Sequence, residues 1–229
     1  MRCAIMQPTY LPWAGYFSMI ESVDVFIFFD DVQFSRRSWQ QRNRINLNQQ
    51  EKWLTIPVKK TGLRDQLINN VEVVDDKWKT THFNLIKQAY GKSKYFDEVY
   101  TIFEETIIKS TTNLLAEINV NFIMTVMKYL NINTKTLYSS NLKSDGKKSQ
   151  YLLNICKEIN ADTYVSAPGS MKYIESEGYF ENSNIKVEKF EFEPKCYSTK
   201  NVDSFIPYLS ILDVIANLGV KESYAYIKK

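Results

Sequence analysis

Two short apolar runs near the N-terminus, with a helix-compatible segment between them, constrain the fold most strongly. The runs "RCAIM" and "DVFIFF" have the length of buried strands, and Trp13, Phe17 and Ile20 between them follow helical spacing. Strand, helix and strand in this order form a βαβ unit, which makes the two strands parallel. Ligands of such sheets bind at the carboxyl ends of the strands, so functional residues are expected directly after each run.

The rest of the chain predicts α/β structure with two excursions. A β-hairpin is expected in "RNRINLNQQEKWLTIPVKK", with its turn at Asn48–Glu51. Three helices are expected in succession between about 76 and 131. Strand and helix patterns then alternate again, and the last helix is predicted to end at Gly219 as its C-cap. We therefore predict one α/β domain over residues 1–229, with a mostly parallel, Rossmann-like sheet, a hairpin excursion and a helical insertion at about 76–131.

Composition excludes several classes of protein. Lys and Arg number 29 against 26 Asp and Glu, a net charge of +3, which argues against a DNA-binding coat or a membrane-surface protein. Three widely spaced cysteines predict neither a disulfide framework nor a zinc site, and they fit a reducing cytoplasm. No apolar run approaches the roughly 20 residues of a membrane-spanning helix, so no membrane insertion is expected. Glycine-rich phosphate-binding motifs are also missing, and no metal site is predicted.

The segment "QPTYLPWAGYF", directly after the first strand, is the first candidate site. Gln7, Tyr10, Trp13 and Tyr16 bring polar and aromatic groups to the strand end, and Gly15 allows a close approach at the start of the helix. We interpret the segment as a pocket wall that stacks a flat or sugar-like ligand. The alternative is a hydrophobic corner that packs the helix on the sheet.

The segment "DDVQFSRRSWQQRNRI", after the second strand, is the second candidate site. Planar guanidinium donors beside an indole suit a pyrophosphate or a carboxylate. The alternative is a solvated arginine face with Asp–Arg pairs, and nucleic-acid binding is a weaker interpretation because the charge is local. The residues that carry this hypothesis are Asp30, Asp31, Gln33, Arg36, Arg37, Trp39, Arg42, Asn43 and Arg44.

Two further positions carry open alternatives. His82, the only histidine, lies on the apolar face of a predicted helix, where it is either a core residue or the one side chain that titrates near neutral pH. Ser166, Gly169 and Ser170 lie in "YVSAPGSMKYI", where a strand leads into a helix. Backbone N–H groups there either hold an anion or belong to a plain loop.

Taken together, these segments resemble the WbqC-like family. The resemblance rests on "IMQPTYLPWAGYF", "DVFIFFDDVQFSRRSWQQRNRI", "WLTIPV", Trp78 with His82, "DTYVSAPGSMKYI" and "SFIPYLSILDVIANLG", in order along nearly the whole chain. Cys196 departs from the pattern and argues against thiol catalysis. A weaker similarity relates the first βαβ unit to nucleotidyltransferase and HUP-like folds, but Trp13 and Tyr16 stand where those enzymes have their two catalytic histidines.

The resemblance implies a glycine transferase in O-antigen or capsule synthesis. Its acceptor would be the amine of a nucleotide-linked amino-dideoxy sugar, with a dTDP-sugar expected. We assign the arginines, Arg37 and Arg42 among them, to pyrophosphate. No cofactor is required by any motif, and the acyl donor stays open between an aminoacyl-tRNA, ATP plus glycine, and a carrier thioester. Stacking on the base or sugar is assigned to Trp13, Tyr16 and Trp39. The contact with the sugar amine is assigned to Asp30 or Asp31, and proton transfer is assigned to His82.

Two rival functions remain open at this point. One is a non-catalytic module that binds a nucleotide sugar or a partner protein in a polysaccharide assembly complex. The other is an RNA-binding protein that uses the arginine and aromatic segment, with an affinity that falls steeply with salt.

Overall fold

A five-stranded parallel sheet forms the centre of the protein, whose computed structural model describes residues 1–197 and 205–228. The strands described are β1 (Arg2–Met6), β2 (Val25–Phe28), β3 (Arg42–Leu47), β4 (Gln50–Thr55), β5 (Lys135–Tyr138), β6 (Thr163–Ser166) and β7 (Lys186–Lys189). The central sheet has the order β5-β2-β1-β6-β7, and every neighbouring pair is parallel. The chain therefore leaves β1 towards one edge and later returns to fill the other, as in a Rossmann sheet. The predicted fold class is confirmed.

Seven α-helices lie within the described residues. Three of them follow the hairpin in succession, where the helical insertion is predicted, and a π-helical turn at Glu104–Ile108 extends the second of these. The helices are α1 (Ala14–Glu21), α2 (Lys77–Tyr90), α3 (Phe96–Phe103), α4 (Leu115–Tyr129), α5 (Lys148–Glu158), α6 (Pro168–Glu177) and α7 (Ile211–Ile227).

Both faces of the central sheet are covered, because successive residues of each strand point to opposite sides. Ala4 and Phe26 belong to the larger apolar cluster, which continues into α1, α4 and α7. Cys3, Ile5 and Ile27 belong to a smaller cluster under α5 and α6. Polar groups that remain in reach of a ligand are therefore concentrated at the strand ends.

The predicted hairpin forms from β3 and β4, which pair antiparallel. Its turn consists of Asn48 and Gln49, with φ of 54° and 63°. Positive φ at both positions is typical of the type I′ turn, which matches the twist of a two-residue hairpin. Asn48 suits this conformation, although the sequence lacks the glycine that usually follows.

The prediction that the last helix ends at Gly219 is wrong. Gly219 has φ of 76° and ψ of 165°, a non-helical conformation that interrupts the helix, but a second helical segment follows at once and continues to Ile227. The carboxylate of Glu98 accepts a hydrogen bond of 2.6 Å from the Val220 N–H and so caps that segment. A Cβ at position 219 would lie 2.8 Å from the ring of Tyr95. The glycine therefore permits a kink against α3 rather than a stop.

Candidate functional site

Two adjoining cavities open at the carboxyl end of β1, and together we call them the cleft. Met6, Thr9 and Trp39 line both of them. The aromatic chamber, of about 270 Å³, is completed by Trp13, Tyr16, Asn43, Arg44 and Tyr208. The polar chamber, of about 360 Å³, is completed by Ile5, Gln7, Phe29, Ser38, Gln40, Leu152, Ala167, Ser170 and Tyr173.

The position of the cleft agrees with the topology of the sheet. After β1 the chain turns to one edge of the sheet, and β6 lies on the other side of β1. The polar chamber lies between the segments that follow these two strands, beside the start of α6 at Pro168. Open α/β sheets bind their ligands at this kind of switch point.

Asn43 fixes the loop that follows β1. Its side-chain amide donates hydrogen bonds to the carbonyls of Tyr10 (3.0 Å) and Leu11 (2.8 Å). Leu11 has a positive φ of 45°, which is rare for a bulky residue. The Tyr10 N–H also donates to the Trp39 carbonyl at 2.9 Å. The two predicted motifs are therefore joined by hydrogen bonds behind the cleft, and the loop is held in a strained conformation.

Asn119, on α4, supports the segments that form the cleft, and the sequence analysis missed it. Its fully buried amide donates to the carbonyls of Pro8 (3.2 Å) and Gln40 (2.7 Å). It thus ties the first motif to the second from a helix far along the chain. An asparagine amid the apolar residues of "INVNFIM" is the signal that could have revealed it, because a buried amide needs partners.

Trp13 is a fixed wall of the aromatic chamber. Its ring covers Gly15 so closely that a Cβ there would lie 2.2 Å from the indole. Phe192 and Tyr208 flank the ring, with centroids 5.5 Å and 5.1 Å away. Tyr16 is buried beneath and donates a hydrogen bond of 3.2 Å to the Gln7 carbonyl. The chamber is therefore formed before any ligand binds.

Trp39 forms the opposite wall and is 47% exposed. Its ring lies 5.3 Å from that of Trp53. The guanidinium of Arg44 lies over both rings, at 5.3 Å and 5.7 Å, and pairs with Glu51 at 2.5 Å. Arg42 lies over Trp53 at 4.3 Å and does not line the cleft. Arg44 is the arginine of the second motif that reaches the aromatic chamber.

The remaining polar groups of the second motif lie in different places on the protein. Arg36 and Arg37 line a separate groove that shares no residue with the cleft. Gln33 is exposed and donates to the Asp65 carboxylate at 3.1 Å. The single pyrophosphate site predicted from the arginines is therefore split between two places.

Asp30 and Asp31 follow β2 as predicted but bind the protein's own side chains. Asp30 is buried and accepts hydrogen bonds from the Ser140 hydroxyl (2.7 Å) and the Ser140 N–H (3.0 Å). Asp31 accepts from Ser139 and from Tyr151, each at 2.5 Å. Burial, together with the Asp31 carboxylate, raises the pKa of the Tyr151 hydroxyl. Neither carboxylate lines the cleft.

His82 lies inside the protein, apart from the cleft. It is 4% exposed, and its Nδ1 lies 2.9 Å from the hydroxyl of the fully buried Tyr10. Burial lowers the pKa of His82 to about 4, while a hydrogen bond with the Thr55 backbone opposes this shift. The imidazole is therefore neutral at pH 7. The structure thus places both Tyr10 and His82, predicted as site residues, in the core.

The helix start predicted after β6 contributes to the polar chamber through other residues than Ser166. Ser166 is fully buried and donates to the Ala167 carbonyl at 3.2 Å. Ser170 and Tyr173, one turn apart on α6, line the chamber. Burial raises the pKa of Tyr173, and a hydrogen bond with Ser170 partly offsets this effect. Tyr173 was not among the predicted site residues.

Comparison with known proteins identifies the relatives of this fold and cleft. The model of the WbqC-like protein family matches residues 7–225, a range that includes the lining residues of both chambers except Ile5 and Met6. The chain belongs to the WbqC-like family. A similar sequence, the uncharacterized protein Rv1507c of Mycobacterium tuberculosis (strain ATCC 25618 / H37Rv), is 30% identical over 220 residues, which cover 96% of this chain and 95% of the relative. No solved structure matches the chain.

Residues 1–197 and 205–228 contain neither a candidate membrane span nor a candidate metal site. None of the helices there combines the length and the apolar character needed to cross a membrane. No group of three or more His, Cys, Asp or Glu side chains there could hold a metal ion.

The chemistry available in the WbqC-like cleft is therefore stacking, hydrogen bonding and the guanidinium of Arg44, which is already paired with Glu51. Among the described residues that line either chamber, none is Asp, Glu, His, Cys or Lys. Hydroxyl and amide groups provide the polar contacts, namely Gln7, Thr9, Ser38, Gln40, Asn43, Ser170 and Tyr173.

Proposed function

We propose that this WbqC-like protein is an N-acyltransferase that joins glycine to the amine of a nucleotide-linked amino sugar. The chain's membership of the family is established, and the pathway, surface-polysaccharide synthesis, and the acceptor, a dTDP-linked amino-dideoxy sugar, are the ones that the resemblance implies. One observation carries the proposal. An aromatic chamber with a guanidinium adjoins a polar chamber at the switch point of a parallel sheet, so the two parts of a nucleotide sugar have matching surfaces.

The aromatic chamber would bind the nucleotide part of the acceptor. The base lies against Trp13 and Trp39, and stacking of this kind contributes about 1–3 kcal/mol per base. Arg44 would contact the pyrophosphate through the N–H groups left over from its pair with Glu51 and its 3.3 Å hydrogen bond to the Tyr208 carbonyl, and its position over Trp39 keeps the guanidinium in place. Since Arg36 and Arg37 lie elsewhere, fewer arginines contact the pyrophosphate in this proposal than the sequence analysis predicted.

The polar chamber would hold the sugar amine and the acyl group. The neutral amine nitrogen attacks the acyl carbon, a C–N bond forms, and the bond from that carbon to its leaving group breaks. One N–H bond of the amine also breaks, and its proton leaves with the departing oxygen or sulfur of the donor. The developing oxyanion needs hydrogen-bond donors. The hydroxyls of Ser170 and Tyr173 are the candidates, and Gln7, linked to Gln40 by a 2.7 Å hydrogen bond, orients the amine. His82 and Asp31 have no direct role in this proposal.

Because the acyl donor is open, the test compares three donors. Purified protein is incubated with a dTDP-linked amino sugar and, in parallel, with glycyl-tRNA, with ATP plus glycine, or with a glycyl thioester. Mass spectrometry of the sugar then detects the added glycyl group. We expect a product with one donor, a lower kcat with Ser170→Ala and Tyr173→Phe, and a higher KM with Arg44→Gln.

Ser176→Ala is the matched control, because Ser176 is an exposed serine of the same helix. It should leave kcat unchanged. Unchanged kcat in both the Ser170→Ala and the Tyr173→Phe proteins would remove α6 from the reaction.

A specific observation favours a second candidate, a non-catalytic module that binds a nucleotide sugar. The described lining of the cleft lacks any group that exchanges protons near neutral pH. A thermal-shift series separates the two candidates, since a ligand that binds only the folded state stabilises it. Stabilisation by the dTDP-sugar, without product from any of the three donors, would favour binding alone.

A further inference from the structure

A groove of about 590 Å³ lies at the base of the hairpin, apart from the cleft. Arg36, Arg37 and Lys60 bring three positive charges to it. Its other described lining residues are Gln41, the segment 55–58 and Val74, none of which is acidic. The proposed transfer reaction makes no use of this groove. Its volume falls in the range of about 300–1,000 Å³ typical of small-molecule sites.

Two of the three cations are available for a ligand. Arg36 donates to the Lys60 carbonyl at 2.7 Å. The guanidinium of Arg37 and the ammonium of Lys60 have no hydrogen-bond or ion-pair partner within residues 1–197 and 205–228. The acids of the segment 65–75, which follows Lys60, are already engaged: Asp65 accepts from Gln33, Glu72 pairs with Lys59, and Asp75 accepts from the Lys77 N–H.

The backbone that carries Arg37 is strained and held in place. Arg37 has a φ of 58°, in the left-handed region. Its N–H donates to the side-chain carbonyl of Gln41 at 3.1 Å, and the Gln41 amide donates to the Ile56 carbonyl at 3.3 Å. Gln41 is 8% exposed, so this support is buried beneath the groove. Non-glycine residues kept in this conformation are found preferentially at ligand clamps and active sites.

The rest of the groove is apolar. Ile56 and Val58 are buried, while Pro57 and Val74 are exposed, Val74 to 54%. An exposed aliphatic surface beside free cations suits a ligand with an uncharged flat part and a charged tail. The whole chain carries a net charge of only +3, which favours a small polyanion over a nucleic acid.

We propose that this groove is a second ligand site that binds a nucleoside polyphosphate. The phosphates contact Arg36, Arg37 and Lys60, and the base packs on Pro57 and Val74. This site does not depend on the function proposed for the cleft. It gives the protein separate places for two phosphorylated ligands.

Isothermal titration calorimetry at low ionic strength tests the site with ATP, adenosine and inorganic tripolyphosphate. ATP should bind more tightly than either of the other two probes, because it alone fills both the cationic and the apolar part. Arg37→Gln and Lys60→Gln should each weaken ATP binding roughly tenfold, the usual effect of losing a charge-assisted hydrogen bond. Lys92→Gln removes an exposed charge outside the groove and should leave ATP binding unchanged.

Arg44→Gln distinguishes the groove from the cleft. It should weaken binding of the dTDP-sugar and leave ATP binding intact, whereas Arg37→Gln should do the reverse. Thermal unfolding of each variant checks that the fold is retained.

Three results would overturn the proposal. The first is that Arg37→Gln binds ATP as tightly as the wild type does. The second is that tripolyphosphate binds as tightly as ATP. The third is that a single-stranded RNA oligonucleotide binds more tightly than ATP and loses affinity in the groove variants.

Discussion

The hydroxyl of Tyr10 and Nδ1 of His82 form a 2.9 Å hydrogen bond between two buried side chains. Since His82 is neutral and also bonds the Thr55 backbone, Nδ1 accepts from the Tyr10 O–H. Trp78 packs edge-on against both rings, with centroid distances of 6.0 Å and 5.3 Å. The pair therefore links the loop after β1 to α2 and β4, and a structural role explains its position.

Tyr10→Phe should destabilise the protein by about 1–3 kcal/mol, because the change leaves Nδ1 of His82 buried without a partner. Urea unfolding at pH 7 measures the loss. Tyr100→Phe is the control, since Tyr100 is exposed and bonds Glu104 at the surface. Equal losses in the two variants would contradict the role assigned to the buried pair.

The pKa of His82 predicts an acid-dependent loss of stability. Its folded-state pKa of about 4 lies below the ordinary value of 6.5, so the unfolded chain takes up a proton first as the pH falls. The effect is absent above pH 6.5 and reaches about 3 kcal/mol near pH 4. In His82→Gln, the free energy of unfolding should fall less between these two pH values. An identical slope in both proteins would show that His82 does not titrate in this way.

Gly15→Ala should displace the indole of Trp13, because the new Cβ would lie 2.2 Å from the ring. We expect a changed near-UV circular dichroism spectrum and weaker binding of the dTDP-sugar. Gly169→Ala is a close control, since Gly169 lies in the first turn of α6 and a Cβ there has no neighbour within 4 Å. Its binding should match that of the wild type.

Asn119→Ala should cost about 2 kcal/mol and also weaken ligand binding, because the buried carbonyls of Pro8 and Gln40 lose their donor. Chemical unfolding and calorimetry measure the two effects. Asn133→Ala removes an exposed amide that bonds a nearby carbonyl, and it should change neither quantity appreciably. A stability loss with unchanged affinity would mean that the loop geometry does not matter for binding.

Trp39→Ala should reduce affinity for the dTDP-sugar roughly tenfold or more, since stacking on one base contributes about 1–3 kcal/mol. The melting temperature should change little, because the ring is half exposed. Tyr179→Ala removes an equally exposed ring outside the cleft and serves as the control. Unaltered affinity in the Trp39 variant would argue against a stacked nucleotide.

Local patterns predicted much of the fold. The apolar runs that became β1 and β2 are short and continuous because both faces of the sheet are covered, and helical periodicity marked α2 and α4. The end of α7 was mispredicted because a positive φ at Gly219 is compatible with both a stop and a kink. What decides between them is Glu98, a residue far away in sequence.

The site was predicted less completely, for the same physical reason. Gln7, Trp13, Tyr16, Trp39 and Asn43 do line the cleft, since the sheet topology brings strand ends together. The positions and contacts of the other predicted site residues depend on residues that are far away in sequence. The hydroxyls that occupy Asp30 and Asp31 lie more than a hundred residues later, and the arginines separate because a loop with a left-handed residue intervenes between Arg36 and Arg44.

Gln40 and Gln41 are consecutive, yet the first lines the polar chamber and the second lines the arginine groove. The backbone at these two residues thus separates the polar chamber from the arginine groove. If a ligand in either cavity moves this backbone, its binding must change the affinity of the other cavity for its own ligand. Thermodynamics requires the two changes in affinity to be the same factor.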